Sequence, residues 1–326
     1  MRRPTAPPAG RAGMTDRRRA YRQMTVVGLL WGTIGPTAAY LDEHTALSPL
    51  QVSWWRLAIA LLPCAGIAIA ASRRARGGRL TTPLVALALG VGLANATFQF
   101  TYFAAVASAG IAVPTLIALG LGPVLVALGE TFVFASRPDR RTLIALAVAL
   151  TGLALLVLDE PAQATIAGVL LAVASATGYA VATLAAGPVS RRLGPARLNA
   201  LVVAGGAVAF TPLILAGGGP GAPGSAGGVV ALLHVGLVVS VLSYALFFAA
   251  ARELPSTHVV ILTLLEPVAA TLIAAVAFGE ALTAGALAGG ALLLGAVAAL
   301  RPEEEQEGGK APAAQPLAAV AGHDDR

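Results

Sequence analysis

The sequence predicts an all-α polytopic membrane protein with ten transmembrane helices, arranged as two inverted five-helix repeats. Three observations carry that expectation: the composition, the side on which the basic residues fall, and an internal repeat whose offset spans an odd number of helices. With 57% hydrophobic and 12% charged residues over 326 positions, the chain has too little polar surface for a water-soluble domain, which carries about a quarter charged residues. Apolar runs long enough to cross ~30 Å of hydrocarbon occur at about 24–41, 50–71, 83–106, 110–135, 141–158, 165–187, 196–216, 228–251, 256–278 and 283–300. If the N-terminus is inside, every Lys and Arg except Arg56 then falls on the inner side. Cytoplasmic loops retain Lys and Arg while translocated loops do not, so the bias predicts a multi-pass protein with both termini cytoplasmic. A wrong helix count would scatter the arginines over both sides. The outer loops carry Asp42, Glu43, Asp159, Glu160 and Glu280, and a Gly/Pro/Ser segment at 217–228 that reads as a flexible surface loop.

Several classes are excluded or disfavoured. The net charge of +6 is dispersed over juxtamembrane arginines with no aromatic interleaving, so no nucleic-acid partner is expected. Cys64 is the only cysteine, which rules out an intramolecular disulfide and a cysteine metal site; neither metal nor cofactor is expected. Residues 1–23 and 302–326 are too polar and Pro/Gly-rich to bury apolar surface, and are expected to be disordered cytoplasmic tails. Between them lie a first repeat at 24–160 and a second, inverted one at 161–301.

The repeat is visible in the letters. Laying 91–134 over 235–278 without gaps brings Val91-Gly92-Leu93 onto Val235-Gly236-Leu237, Phe103 onto Phe247, Pro123-Val124 onto Pro267-Val268 and Phe134 onto Phe278. The offset spans five helices, so the second copy crosses the membrane in the opposite sense. Inverted repeats of this kind are a signature of secondary transporters, whose halves rock about a midplane site.

Short motifs point the same way. Trp31-Gly32 in the first helix, Arg56-Leu57-Ala58-Ile59-Ala60 in the second, Leu265-Glu266-Pro267 in the ninth and Phe278-Gly279-Glu280 at its end resemble EamA-type members of the drug/metabolite transporter superfamily. The resemblance covers roughly residues 24–300. It implies an inner-membrane secondary carrier, often an exporter of amino acids or related small metabolites. The first repeat departs from the family pattern, with Phe134-Ala135-Ser136 where a Gly-Glu pair often stands.

Charged side chains at helix centres cost at least ~2.5–3.5 kcal/mol on insertion scales, which singles out Arg56, Glu130 and Glu266. Glu266 lies about ten residues into the ninth helix, near the midplane, and is the first candidate for binding a substrate ammonium or a proton. Pro267 frees the Thr263 carbonyl and Pro123 the Leu119 carbonyl, so both prolines read as hinges at equivalent depth, or as kinks that only fit the fold. Glu130, near the inner end of the fourth helix, reads as a second proton-coupling carboxylate or as an ion-pair partner of Arg140 or Arg141. Arg56 either snorkels outward beneath Trp54 and Trp55 or turns inward to a substrate carboxylate or a salt bridge.

Asn95 and Gln99 share one face of the third helix with Tyr102, and Ser240, Ser243 and Tyr244 form a matching stripe on the eighth. Such groups either link helices or line a wet cavity. Trp31 and Tyr179, on the first helix of each repeat, wall a pocket or pack against neighbours. His258 begins the ninth helix as a titrating group or a solvated end residue. The expected activity is alternating-access export of a small molecule, an amino acid or similar metabolite, with proton exchange through Glu266. A drug exporter or an uncoupled uniporter is the near alternative. A lipid-modifying enzyme is distant, because its acids would have to cluster. Both repeats lie in one chain within the bilayer, so a monomer is expected; a dimer would use Gly285, Gly289 and Gly290.

Overall fold

Each apolar run becomes a helix because lipid offers backbone N–H and C=O groups no partner, and a helix satisfies them within one segment. The computed structural model describes residues 12–74, 81–110, 112–157, 165–279 and 281–300. Ten rods follow in order: α1 (Ala12–Trp31, continued by Ile34–His44), α2 (Pro49–Arg74), α3 (Thr82–Ala109), α4 (Ala112–Val133), α5 (Arg140–Val157), α6 (Ile166–Leu193), α7 (Pro195–Ala216), α8 (Ala226–Ala251), α9 (Ser256–Phe278) and α10 (Ala284–Leu300). Among the described residues, nine are long and apolar enough to span a bilayer, and α10, at 17 residues, is slightly shorter. The expected tails at 1–11 and 302–326, the loop arginines Arg76 and Arg79, and the acidic residues Asp159, Glu160 and Glu280 lie outside the described residues.

The helix starts follow from local chemistry. Ser48 and Gln51 form a reciprocal capping box at α2, with Ser48 N donating to Gln51 Oε1 at 2.9 Å and Gln51 N to Ser48 Oγ at 3.3 Å. Asp139, Thr165, Ser225 and Thr283 cap α5, α6, α8 and α10 by accepting the amide three residues on. The Asp139 carboxyl is held below the usual carboxylate range, chiefly by its hydrogen bonds to Thr142. The start of α9 is different: Pro255 stands at the cap position and has no acceptor side chain. Glu130, reaching across from α4, fills that role, accepting Ser256 N with one oxygen and the buried Thr257 hydroxyl with the other. This is a carboxylate placed at the positive end of a helix dipole. Ser256 and Thr257 are thus partners of Glu130 beyond the Arg140 or Arg141 pairing expected from sequence.

The two ends of the bundle are chemically distinct. Arg197 Nε donates to Ser72 Oγ at 2.8 Å, Arg191 Nη1 to Arg252 O at 3.1 Å, and the His258 ring lies between Tyr21 of α1 and Thr142 of α5. Every described arginine except Arg56 lies at this basic end. His258, expected either to titrate or to be a solvated end residue, instead knots α1, α5 and α9 together. At the opposite end Gln51 Nε2 and Trp55 Nε1 donate to Gly219 O and Pro220 O, both at 2.9 Å. The segment expected to be a flexible loop is therefore tied to α2. Because α1 enters from the basic end and α6 from the other, the two five-helix halves are inverted.

Two expectations need correction here. The tail predicted over 1–23 is helical from Ala12, with Ala20 and Tyr21 buried; hydropathy marks where lipid begins, not where helix-forming Ala, Arg, Met and Gln stop. The glycines offered for a dimer serve the chain itself. A Cβ on Gly152 of α5 would lie 2.7 Å from Gly289 O of α10, and Gly290 is buried facing Val268.

Helix interiors break in three places, all near the centre. α1 turns at Gly32–Thr33, α8 loosens into a π-helix over His234–Ser243, and α9 breaks at Leu264. In α9, Pro267 falls in the first turn of the second piece, where a missing N–H costs no helix bond. α4 runs unbroken through Pro123. The backbone is thus interrupted beside Pro267 and continuous through Pro123, so the two expected hinge positions are not equivalent.

Substituting Gly152→Leu removes the α5–α10 backbone contact, and we expect the protein to lose its monodisperse peak in detergent size-exclusion chromatography. Glu130→Ala leaves the Thr257 hydroxyl and the Ser256 amide without their acceptor, lowering stability by about 2 kcal/mol. Glu130→Gln, which keeps one acceptor oxygen, should recover most of the loss in the thermal unfolding midpoint.

Candidate functional site

The three breaks lie around a buried charge, Arg56, and a half-buried one, Glu266. Arg56 of α2 is only 8% exposed, and its guanidinium donates through Nη2 to Gln99 Oε1 of α3. Arg56 therefore points into the bundle and does not snorkel. Its Nε is buried without an acceptor. Glu266 of α9 lies within electrostatic reach of Arg56, and among the described residues its carboxylate accepts no hydrogen bond. A buried charge such as Arg56 would cost several kcal/mol unpaired, while one hydrogen bond to a charged group returns about 1.5–3 kcal/mol. Arg56 is under-satisfied.

Aromatic and amide groups surround it. Tyr244 Oη of α8 donates to Asn95 Oδ1 of α3 at 3.3 Å. Thr263 spends its own proton on Val260 O at 2.8 Å, so at the 2.7 Å contact Tyr179 Oη of α6 is the donor. Trp31 Nε1 of α1 donates to Ser243 Oγ of α8 at 3.0 Å, and its ring packs on Tyr244 and Phe247 with centroids 5.3 and 5.5 Å away. Tyr102 bonds Thr115 of α4 at 2.8 Å. The phenols of Tyr102, Tyr179 and Tyr244 all lie within electrostatic reach of Glu266. The structure thus gathers Arg56, Asn95, Gln99, Trp31, Tyr179, Ser243, Tyr244, Thr263 and Glu266 around one centre. It leaves Glu130 at the basic end.

α1 presses directly on the break in α9. A Cβ on Gly32 would lie 2.8 Å from Glu266 O, and one on Gly28 would lie 3.0 Å from Leu262 O. Between the aromatic rings the space closes to about 20 Å³, room for about one water. Beyond it, on the end opposite the arginines, a groove of about 590 Å³ opens between α1, α8 and α9, lined by Thr33, Thr37, Tyr40, His234 and Phe278 among others. At its floor Thr33 gives its proton to Leu30 O at 2.6 Å, which makes His234 Nε2 the donor in the 2.8 Å bond between them. The bundle is narrow at its centre and recessed at the end opposite the arginines.

Sequence reasoning missed several residues. Phe247 and Phe248 line the central space but read as ordinary apolar helix. Asn199 of α7 is 3% exposed and donates to Ser240 O and Val241 O at 3.3 and 3.1 Å, meeting carbonyls loosened by the π-helix. A lone Asn inside an apolar run was the available signal.

Comparison with known proteins agrees with this architecture. The EamA-like transporter family matches twice in tandem, over residues 20–158 and 166–301. An uncharacterized transporter of Bacillus subtilis (strain 168), YwfM, is 31% identical over 281 residues, 82% of this chain and 89% of that protein. An uncharacterized transporter of Archaeoglobus fulgidus is 28% identical over 209 residues, 64% of this chain and 74% of that one. One protein crystal structure has the same fold, with a TM-score of 0.71 at 22% identity over 86% of this chain and 97% of the other. An inverted pair of five-helix bundles with its polar groups gathered at the midplane, matched over both halves, places the chain in the EamA-like transporter family.

Proposed function

We propose that this chain is an alternating-access exporter of small zwitterionic metabolites of the amino-acid class, with Arg56 holding the carboxylate and Glu266 the ammonium. The observation that carries the reading is the buried guanidinium with a free Nε, set opposite a carboxylate that has no hydrogen-bond partner among the described residues. A zwitterion supplies what each group lacks. It also adds no net charge to a low-dielectric site, which keeps the loaded carrier inexpensive to close. Tyr179, Tyr244 and Trp31 supply ring faces for the solute's side chain.

Transport requires the 20 Å³ centre to widen. The cross-links that must give way are the single α1–α8 hydrogen bonds, Trp31 to Ser243 and His234 to Thr33. Each is worth about 1 kcal/mol, roughly fivefold in an equilibrium, so the barrier lies in repacking more than in bond breaking. The breaks in α1 and α9 supply the hinge, with Pro267 at its edge. Proton exchange belongs to Glu266 in this scheme: protonation releases the ammonium, and the carboxyl returns its proton on the other side. The solute leaves through the groove on the arginine-poor end, and the arginine-rich end faces the cytoplasm of a cell with this protein in its inner membrane. One chain carries both repeats and works as a monomer.

Counterflow in proteoliposomes tests the chemistry with a zwitterionic amino acid, its amide and its deaminated acid. Wild type should exchange the zwitterion alone. Arg56→Gln should weaken it about thirtyfold, from ~2 kcal/mol for a lost bond to a charged group, and Glu266→Gln should abolish the response to an imposed pH gradient. Equal exchange of amide and parent by wild type would overturn the carboxylate assignment and favour apolar drugs held by the aromatic ring.

Orientation is read separately on intact cells, after Cys64→Ala, with an impermeant maleimide. Labelling of Ala222→Cys but not Ser136→Cys is expected, and the reverse pattern would put the arginines outside.

A further inference from the structure

The α5–α10 pair forms a groove that the transport scheme does not use. The two helices meet backbone to backbone where a Cβ on Gly152 would lie 2.7 Å from Gly289 O. Rods that touch so closely at one point diverge away from it, and toward the basic end they leave a cavity of about 460 Å³. On α5 it is lined by Arg140, Arg141, Ile144, Ala145 and Val148, the i, i+4, i+8 stripe of one helix face. Gly295, Ala296 and Ala299 of α10 form the other wall, all small. Neighbouring Leu143, Ile144 and Leu294 are about half exposed, so the groove opens to the periphery of the bundle.

We propose that this groove is a binding site for an anionic phospholipid, its phosphate on Arg140 and Arg141 and an acyl chain between α5 and α10. The apolar stripe runs about 12 Å below the guanidinium groups, at 1.5 Å per residue from Arg140 to Val148, as far as an acyl chain reaches into one leaflet. Free phosphate would fill only the top and leave the apolar walls uncovered. Both arginines are exposed at the headgroup end, where each contributes to attraction for acidic lipid. The nearby Asp139 carboxylate caps the first turn of α5, accepting Thr142 N at 2.7 Å.

Native mass spectrometry of delipidated full-length protein titrated with phosphatidylglycerol, phosphatidylcholine or inorganic phosphate tests the site. Wild type should retain one phosphatidylglycerol against collision energies that strip phosphatidylcholine, and millimolar phosphate should not displace it. Arg140→Gln with Arg141→Gln should weaken that binding about thirtyfold, two charges at ~1 kcal/mol each. Gly295→Phe fills the groove from a position where an added Cβ meets no atom within 4 Å, so the fold should persist while the lipid is lost. Equal retention of both lipids, unchanged binding in either variant, displacement by phosphate, or a second protein copy in the lipid's place would each overturn the assignment.

Discussion

In a solvent as apolar as leucine, helices are held together by contact and not by expulsion from water, and this structure depends on backbones that touch. Gly92 of α3 faces Val202 O of α7, Gly178 of α6 faces Ala94 O and Phe98 N of α3, and Gly152 faces Gly289 across α5 and α10, each so close that a Cβ would lie under 3 Å from the neighbour. These crossings fix where each helix lies. The centre inherits its shape from them: α3 is clamped from two sides, so Asn95 and Gln99 are carried to the same wall.

The two halves are unequal in this conformation. α3 and α4 pack on α6 more extensively than their repeat mates α8 and α9 pack on α1. The looser side is where the helices break, where the groove of about 590 Å³ opens, and where Glu266 sits. Here the distinction is written into helix continuity, with α4 whole through Pro123 and α9 interrupted before Pro267.

Polar groups in this bundle divide by use. Glu130, Asp139 and His258 at the basic end satisfy helix ends and hydroxyls, and their partners are all protein groups. Arg56 and Glu266 at the centre leave capacity unspent. Asn199 Oδ1, and Arg252 Nε at the basic end, are also buried without a hydrogen-bond partner among the described residues, so unspent capacity by itself does not mark a ligand site.

By itself the sequence determined the helix count, the side of the arginines, the inverted repeat and the residue types near the midplane, because hydropathy and charge belong to residues one at a time. Only the tertiary structure decided what depends on helix rotation and on neighbours. Arg56 sits at a depth from which snorkelling outward was the favoured expectation, and it turned inward because Gln99 of α3 met it there. That Glu130 caps α9 could not be read from its own helix, because the gap it fills is made by Pro255 on another. Gly289, one of three glycines open to a second copy in sequence, is met by Gly152 of its own chain. A side chain's depth is fixed by its place along a helix, whereas its partner is fixed by which face another helix covers, and no single helix encodes that.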